Sequence, residues 1–404
     1  MSKNSNAMGW TVTMAATGIN LILGLLYSWS VIKASLVNDW GWTNTEASLP
    51  YTVCVALLSF MTVFGGRLQD KYGPKKIALI GGILFGTGIL LSAYAKSPFI
   101  MLITFGIISG VGMGFAYASA TPAALKWFEA RKKGLIAGIV VAGIGVSSLF
   151  MAPLTNSLLV NYSTERTFLI LGAIAIVSLV VFALILRNPA IGYIPQAKRG
   201  KPIVSHGDDY TWREMLKMRP FYFLWLTYFL SATAGLMLIG HIVSIVNVQS
   251  GSNKGFLLVM IFAAFNTGGR ILGGFLSDKI GRTSALLAVM IIQAANMFAF
   301  AFYTNIPLLI LGVSVAGIAY GALFALFPST TADFFGVKNL GVNYGLVFTS
   351  WGIAGIIGPI LAGRVADLTG TYNTSYIVAG IMLVLGAVLV KSIVAPQRRE
   401  AISA

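Results

Sequence analysis

Gly66-Arg67-Leu68-Gln69-Asp70-Lys71-Tyr72-Gly73-Pro74-Lys75-Lys76 and Gly274-Phe275-Leu276-Ser277-Asp278-Lys279-Ile280-Gly281-Arg282 are two copies of one pattern. Gly, Asp and Gly keep the same spacing in both copies, 208 residues apart. A second pair supports the repeat. Trp127-Phe128 with Gly134 matches Phe334-Phe335 with Gly341 at an offset of 207. The chain therefore reads as two copies of one unit set in the same orientation.

What lies between the copies defines the unit. Of the 404 residues, 57% are hydrophobic and only 10% are charged, where a soluble protein has roughly 25% charged. So little charge cannot cover a water-facing surface, which excludes soluble enzymes, disordered chains and nucleic-acid modules. Charge-free runs long enough to cross a bilayer predict twelve helices: 10–32, 47–66, 77–95, 98–125, 134–159, 167–186, 220–247, 255–277, 283–303, 307–332, 339–363 and 373–390. The fold class is an all-α polytopic membrane protein of two pseudo-symmetric six-helix halves. The predicted division is 1–186, a polar linker over 187–219, and 220–404. Only Lys3 precedes the first span, and its apolar part is too long for a cleaved signal, so it is read as retained. A single cysteine, Cys54, excludes a disulfide framework.

With the N-terminus placed inside, the inner loops hold 22 of the 28 Lys and Arg residues, and the outer loops hold 5. The positive-inside rule then puts both termini in the cytoplasm. The net charge of +16 is mainly a topology signal and does not point to nucleic acid. Parallel six-helix halves with a midplane site between them are an alternating-access architecture.

The doubled G-x-x-x-D-x-x-G loop in a 6+6 chain resembles the major facilitator superfamily. Trp127-Phe128 with Arg131-Lys132-Lys133-Gly134-Leu135, and Phe327-Pro328-Ser329-Thr330 with Asn343-Tyr344-Gly345, are similar to the monocarboxylate transporters and the related oxalate/formate antiporters. That resemblance implies an integral protein of a bacterial inner (plasma) membrane, working as a monomer without a cofactor.

Charge inside a membrane is costly and by default marks function. None of the 12 Asp and Glu falls in the central part of a predicted span, and Arg270 is the one Lys or Arg well inside. With no buried carboxylate to neutralise it, its natural counter-ion is an anion that comes and goes, and its fork suits a carboxylate. The alternative is an arginine that snorkels to the cytoplasmic end or pairs with helix carbonyls. The resemblance implies that an arginine here binds the substrate carboxylate. It also implies an aspartate one turn earlier, where this chain has Asn266, and a second cation in span 11, near Trp351. One cation favours a monoanion.

His241 is the only histidine in a predicted span, and it titrates near neutrality. It is the candidate proton carrier; the alternative is a neutral, structurally bonded histidine. Tyr117, Tyr320 and Phe324 are candidate pocket residues, and Tyr117 and Phe324 occupy equivalent repeat positions, able to face each other. Leu26, Phe348 and Trp351 are candidate apolar walls. Asp70 and Asp278, with Gly73 and Gly281, read either as gates or as tight capped turns. No P-loop, H-E-x-x-H or G-x-S-x-G is present, which removes the machinery of ATP-driven pumps and membrane hydrolases. The expected function is proton-coupled symport of a small organic monoanion such as lactate or pyruvate. Its rivals are an oxalate/formate-type anion exchanger and a non-transporting membrane sensor.

Overall fold

The computed structural model describes residues 2–190, 192–193, 208–252 and 254–396; the middle of the predicted linker lies outside them. Among the described residues the chain is helical without strands. Twelve helices among the described residues are long and apolar enough to cross a membrane: Ala7–Trp40, Thr45–Tyr72, Pro74–Ser92, Pro98–Leu125, Ala130–Asn161, Thr164–Ile185, Arg219–Ile239, Gly255–Ile280, Arg282–Phe300, Ile306–Phe335, Leu340–Thr369 and Asn373–Lys391. They are numbered span 1 to span 12 in that order.

All twelve predicted spans are present, but several run past their predicted ends. The 34 residues of span 1 would make roughly 51 Å of helix, well beyond a hydrocarbon core of about 30 Å. Charge-free runs mark the part of a helix that must sit in lipid. They do not mark where the helix stops. Lys33, predicted in an outer loop, thus lies in the C-terminal extension of span 1, and Lys133 lies within span 5.

Three spans depart from a plain α-helix, and span 4 does so as a π-helix over Leu102–Ser109. Span 1 tightens to a 3-10 turn over Gly24–Ser28. Span 7 was predicted continuous over 220–247, but its helix ends at Ile239 and resumes as Ile242–Ser250. The last turn tightens: the Gly240 and His241 amides donate to Leu236 and Leu238 carbonyls. His241 is therefore at a helix break, not inside a helix.

The halves meet along two seams. Span 2 packs on span 11 and span 5 packs on span 8. Glycine makes this possible, since a Cβ on Gly66 would overlap the Gly341 backbone and one on Gly138 would overlap the Arg270 carbonyl. Gly345 lies against Thr62, and Gly134 against Gly274. These contacts close the molecule on the face that carries the two repeated loops, called here the basic face. The loops turn sharply because Gly73 and Gly281 adopt φ of 89° and 90°, where a side chain would be strained.

Candidate substrate-binding site

Arg270 stands near the centre of span 8 and is only 1% exposed. Its Nε donates to Asn266 Oδ1 at 3.0 Å, one helical turn earlier. Its NH1 donates to the backbone carbonyl of Val141 on span 5, in the other half. The guanidinium carbon lies 4.6 Å from the centre of the Phe324 ring, a cation–π distance. Among the described residues no carboxylate pairs with it. Thus the helix-carbonyl alternative holds for one nitrogen, while the charge itself is without a counter-charge. Of five donors, three have no partner among these contacts.

An aromatic wall extends from Phe324. Its ring meets Tyr320 at 5.3 Å and Trp351 at 5.9 Å. Trp351 stacks on Phe348 at 5.0 Å, and Phe348 meets Tyr117 at 5.1 Å. Trp351 Nε1 donates to the Tyr320 hydroxyl at 2.8 Å, which leaves the Tyr320 proton free to donate. The Tyr117 hydroxyl is 3.5 Å from that of Tyr344. Sequence equivalence suggested that Tyr117 and Phe324 face each other. In the structure the Phe348–Trp351 stack stands between them, one ring touching each. Leu26 is buried in the 3-10 turn of span 1.

Three contributors escaped the sequence reading. Val141 offers only its backbone, so no side-chain pattern signals it. Tyr27, 44% exposed, lies in the 3-10 turn beside the buried Leu26. Tyr344 was in view in the Asn343-Tyr344-Gly345 motif, and its place one turn before Phe348 on the same helix was the usable signal.

His241 does not join this group. It sits about 12 residues, or ~18 Å of helix, beyond the centre of span 7. Its Nε2 is 3.0 Å from the Pro359 carbonyl, and its Nδ1 is 3.3 Å from the Tyr372 hydroxyl. A carbonyl only accepts, so Nε2 carries the proton, and in the neutral ring Nδ1 accepts from Tyr372. Span 7 carries His241 past the level of Arg270, to the end of the span away from the linker.

Asp70 and Asp278 do not cap their own turns. Asp70 accepts from the Val342 amide of span 11 at 3.0 Å and pairs with Lys126 at 3.4 Å. Asp278 accepts from the Gly134 and Leu135 amides of span 5 at 2.8 and 2.7 Å. Each carboxylate therefore reaches across to the opposite half at equivalent positions. Around Asp278, Arg282 bonds to Asp278, Asp333 and the Ala130 carbonyl, and Lys133 bonds to Asp333. Lys133, predicted in a loop, is wholly buried in this network.

Two pseudo-symmetric six-helix halves that meet around Arg270 are the architecture of a membrane transporter. The sequence model of the Major Facilitator Superfamily matches residues 7–303 and 250–403, and the chain belongs to that family. It is 28% identical over 372 residues to the oxalate:formate antiporter of Oxalobacter formigenes, covering 89% of this chain and 85% of that protein. It is 27% identical over 391 residues to monocarboxylate transporter 13 of Bos taurus, covering 94% and 88%. The fucose transporter FucP in its outward conformation superposes with a TM-score of 0.74 at 15% identity, covering 95% of this chain and 99% of that one. The protein is a transporter of the family and not an enzyme.

Proposed function

We propose that the protein moves a small organic monocarboxylate across the bilayer by alternating access, with Arg270 holding the carboxylate between the halves. One observation carries this reading: the guanidinium is buried without an ionic partner among the described residues. A buried charge with no counter-charge costs several kcal/mol, and an incoming carboxylate removes that cost. Asn266 orients the guanidinium, Tyr117 and Tyr320 offer hydroxyl donors, and Phe324, Phe348, Trp351 and Leu26 enclose a short carbon chain. One cation suits one negative charge. Asp70 and Asp278, on the turns made by Gly73 and Gly281, act as gates that part when the basic face opens. By the positive-inside rule that face is cytoplasmic. The two relatives are named for short carboxylates, a monocarboxylate in one and the dianion oxalate with the monoanion formate in the other.

Two couplings fit this site: proton symport with His241 as carrier, and exchange of one anion for another. The contacts favour exchange, because among the described residues no Asp, Glu or His is a hydrogen-bond partner of Arg270, Asn266, Tyr320 or Trp351. Accordingly His241→Gln is expected to keep both counterflow and the wild-type response to an inward proton gradient in proteoliposomes, measured at fixed anion concentration. Loss of most uphill accumulation in that variant would instead establish His241 as the proton carrier.

A further inference from the structure

The two seams between the halves are related by the internal repeat, and at the level of the site they are tied differently. Ser59 and Thr267 are equivalent at an offset of 208; Gly145 and Gly352, and Val141 and Phe348, are equivalent at 207. In the span 2–span 11 seam, Ser59 Oγ donates to the Phe348 carbonyl at 3.2 Å. In the span 5–span 8 seam, the corresponding carbonyl belongs to Val141. The corresponding hydroxyl, on Thr267, turns back to the Ala263 carbonyl of its own helix at 2.9 Å. Arg270 NH1 takes its place on Val141. One seam is thus fastened by a hydroxyl with no link to the anion. The other is fastened by the guanidinium that, on the reading above, receives it.

We propose that the Arg270–Val141 contact is a lock between the halves that the transported anion releases, so that the empty carrier stays closed on the basic face. This rests on Arg270 being the anion site. Among the described residues the guanidinium is served by neutral groups only: the Asn266 amide, the Val141 carbonyl and the Phe324 ring. A carboxylate takes the N–H groups of NH1 and NH2 that have no partner among these contacts and draws the guanidinium off the Val141 carbonyl. Its full charge makes it the stronger acceptor, since charge-assisted bonds are roughly twice as strong as neutral ones. Filling the site then loosens the seam at its inner end, beside the close approach of Gly138 to the Arg270 backbone. An empty carrier that cannot open returns only with an anion aboard, which makes the transporter an exchanger. The lock is distinct from the Asp70 and Asp278 contacts, which lie nearer the basic face and touch no substrate.

The test is a distance between the halves on the basic face. Lys75 and Lys279 are both exposed there. In full-length Cys54→Ser protein, both are replaced by cysteine, spin-labelled and measured by pulsed EPR in carboxylate-free buffer. With Arg270 present a single short distance is expected. Arg270→Gln should show a second, longer population without any anion, as the closed-to-open ratio falls about 10- to 150-fold, the worth of one hydrogen bond to a charged group. Unchanged short distances in Arg270→Gln would overturn the lock while leaving anion binding to be judged separately by loss of uptake. A second measurement does not depend on that variant folding. Formate, acetate and lactate are each added to labelled protein with Arg270 intact, and whichever raises Tm should bring up the longer population. An anion that binds and leaves the distances short would likewise overturn the proposal.

Discussion

Arg270→Ala is expected to abolish concentrative uptake of short carboxylates into proteoliposomes while the protein still folds and inserts. The variant removes the one buried charge that has no protein counter-charge among the described residues. A hydrogen bond to a charged group is worth about 1.5–3 kcal/mol, roughly 10- to 150-fold in affinity. Arg270→Lys should fail as well. A single ammonium cannot grip both carboxylate oxygens, bond Asn266 and reach Val141 together. Removing an uncompensated buried cation relieves a desolvation cost, so Tm should hold or rise. Wild-type uptake by Arg270→Ala would refute the role assigned to this residue.

Gly138→Val is expected to cut the exchange rate by a similar factor for a mechanical reason. A Cβ at Gly138 would overlap the Arg270 backbone carbonyl across the seam, and the neighbour is helix backbone that cannot step aside. Overpacking of this kind costs typically 1–3 kcal/mol, or ~5- to 150-fold, and here it falls on the state closed at the basic face. The carrier should accumulate with that face open. Gly268 is the control, since it lies on span 8 close to Arg270 and a Cβ there meets nothing within 4 Å. Gly268→Ala should transport normally. Counterflow of a labelled short acid, with Tm as the folding check, measures both. A normal rate in Gly138→Val would show that this seam does not close tightly during transport.

Much of the fold was legible because the bilayer imposes a one-dimensional rule. Apolar length gives the spans, and the two Gly–Asp–Gly loops give the repeat. Helix ends were poorly legible, as Lys33 and Lys133 show, because a helix continues past the lipid wherever its backbone bonds are satisfied. The break at Gly240-His241 was invisible for a related reason. It depends on a last turn that tightens and on bonds to Pro359 and Tyr372, residues more than a hundred positions away.

The site was legible in its charge and not in its geometry. Arg270 and Asn266 stood out by type and by spacing of one turn, and the structure joins them at 3.0 Å. The partner across the seam, Val141, did not, because a carbonyl leaves no mark in a sequence. Repeat arithmetic correctly made Tyr117 and Phe324 equivalent but could not show the Phe348–Trp351 stack between them, which depends on how far span 11 enters the space between the halves. The carboxylates Asp70 and Asp278 were legible as a pair, while their reach to the amides of spans 11 and 5 required the packed halves.

The central claim is that a buried, fixed positive charge selects a small organic monoanion. The most direct measurement is binding by purified protein of a panel built around one carbon skeleton: lactate, its neutral amide, and a dicarboxylate of similar size, each compared in wild type and Arg270→Gln. The account predicts that wild type binds the monoanion, rejects the amide, holds the dianion more weakly, and loses this discrimination in Arg270→Gln. Equal binding of lactate and its amide by wild type, or discrimination unchanged by Arg270→Gln, would contradict it.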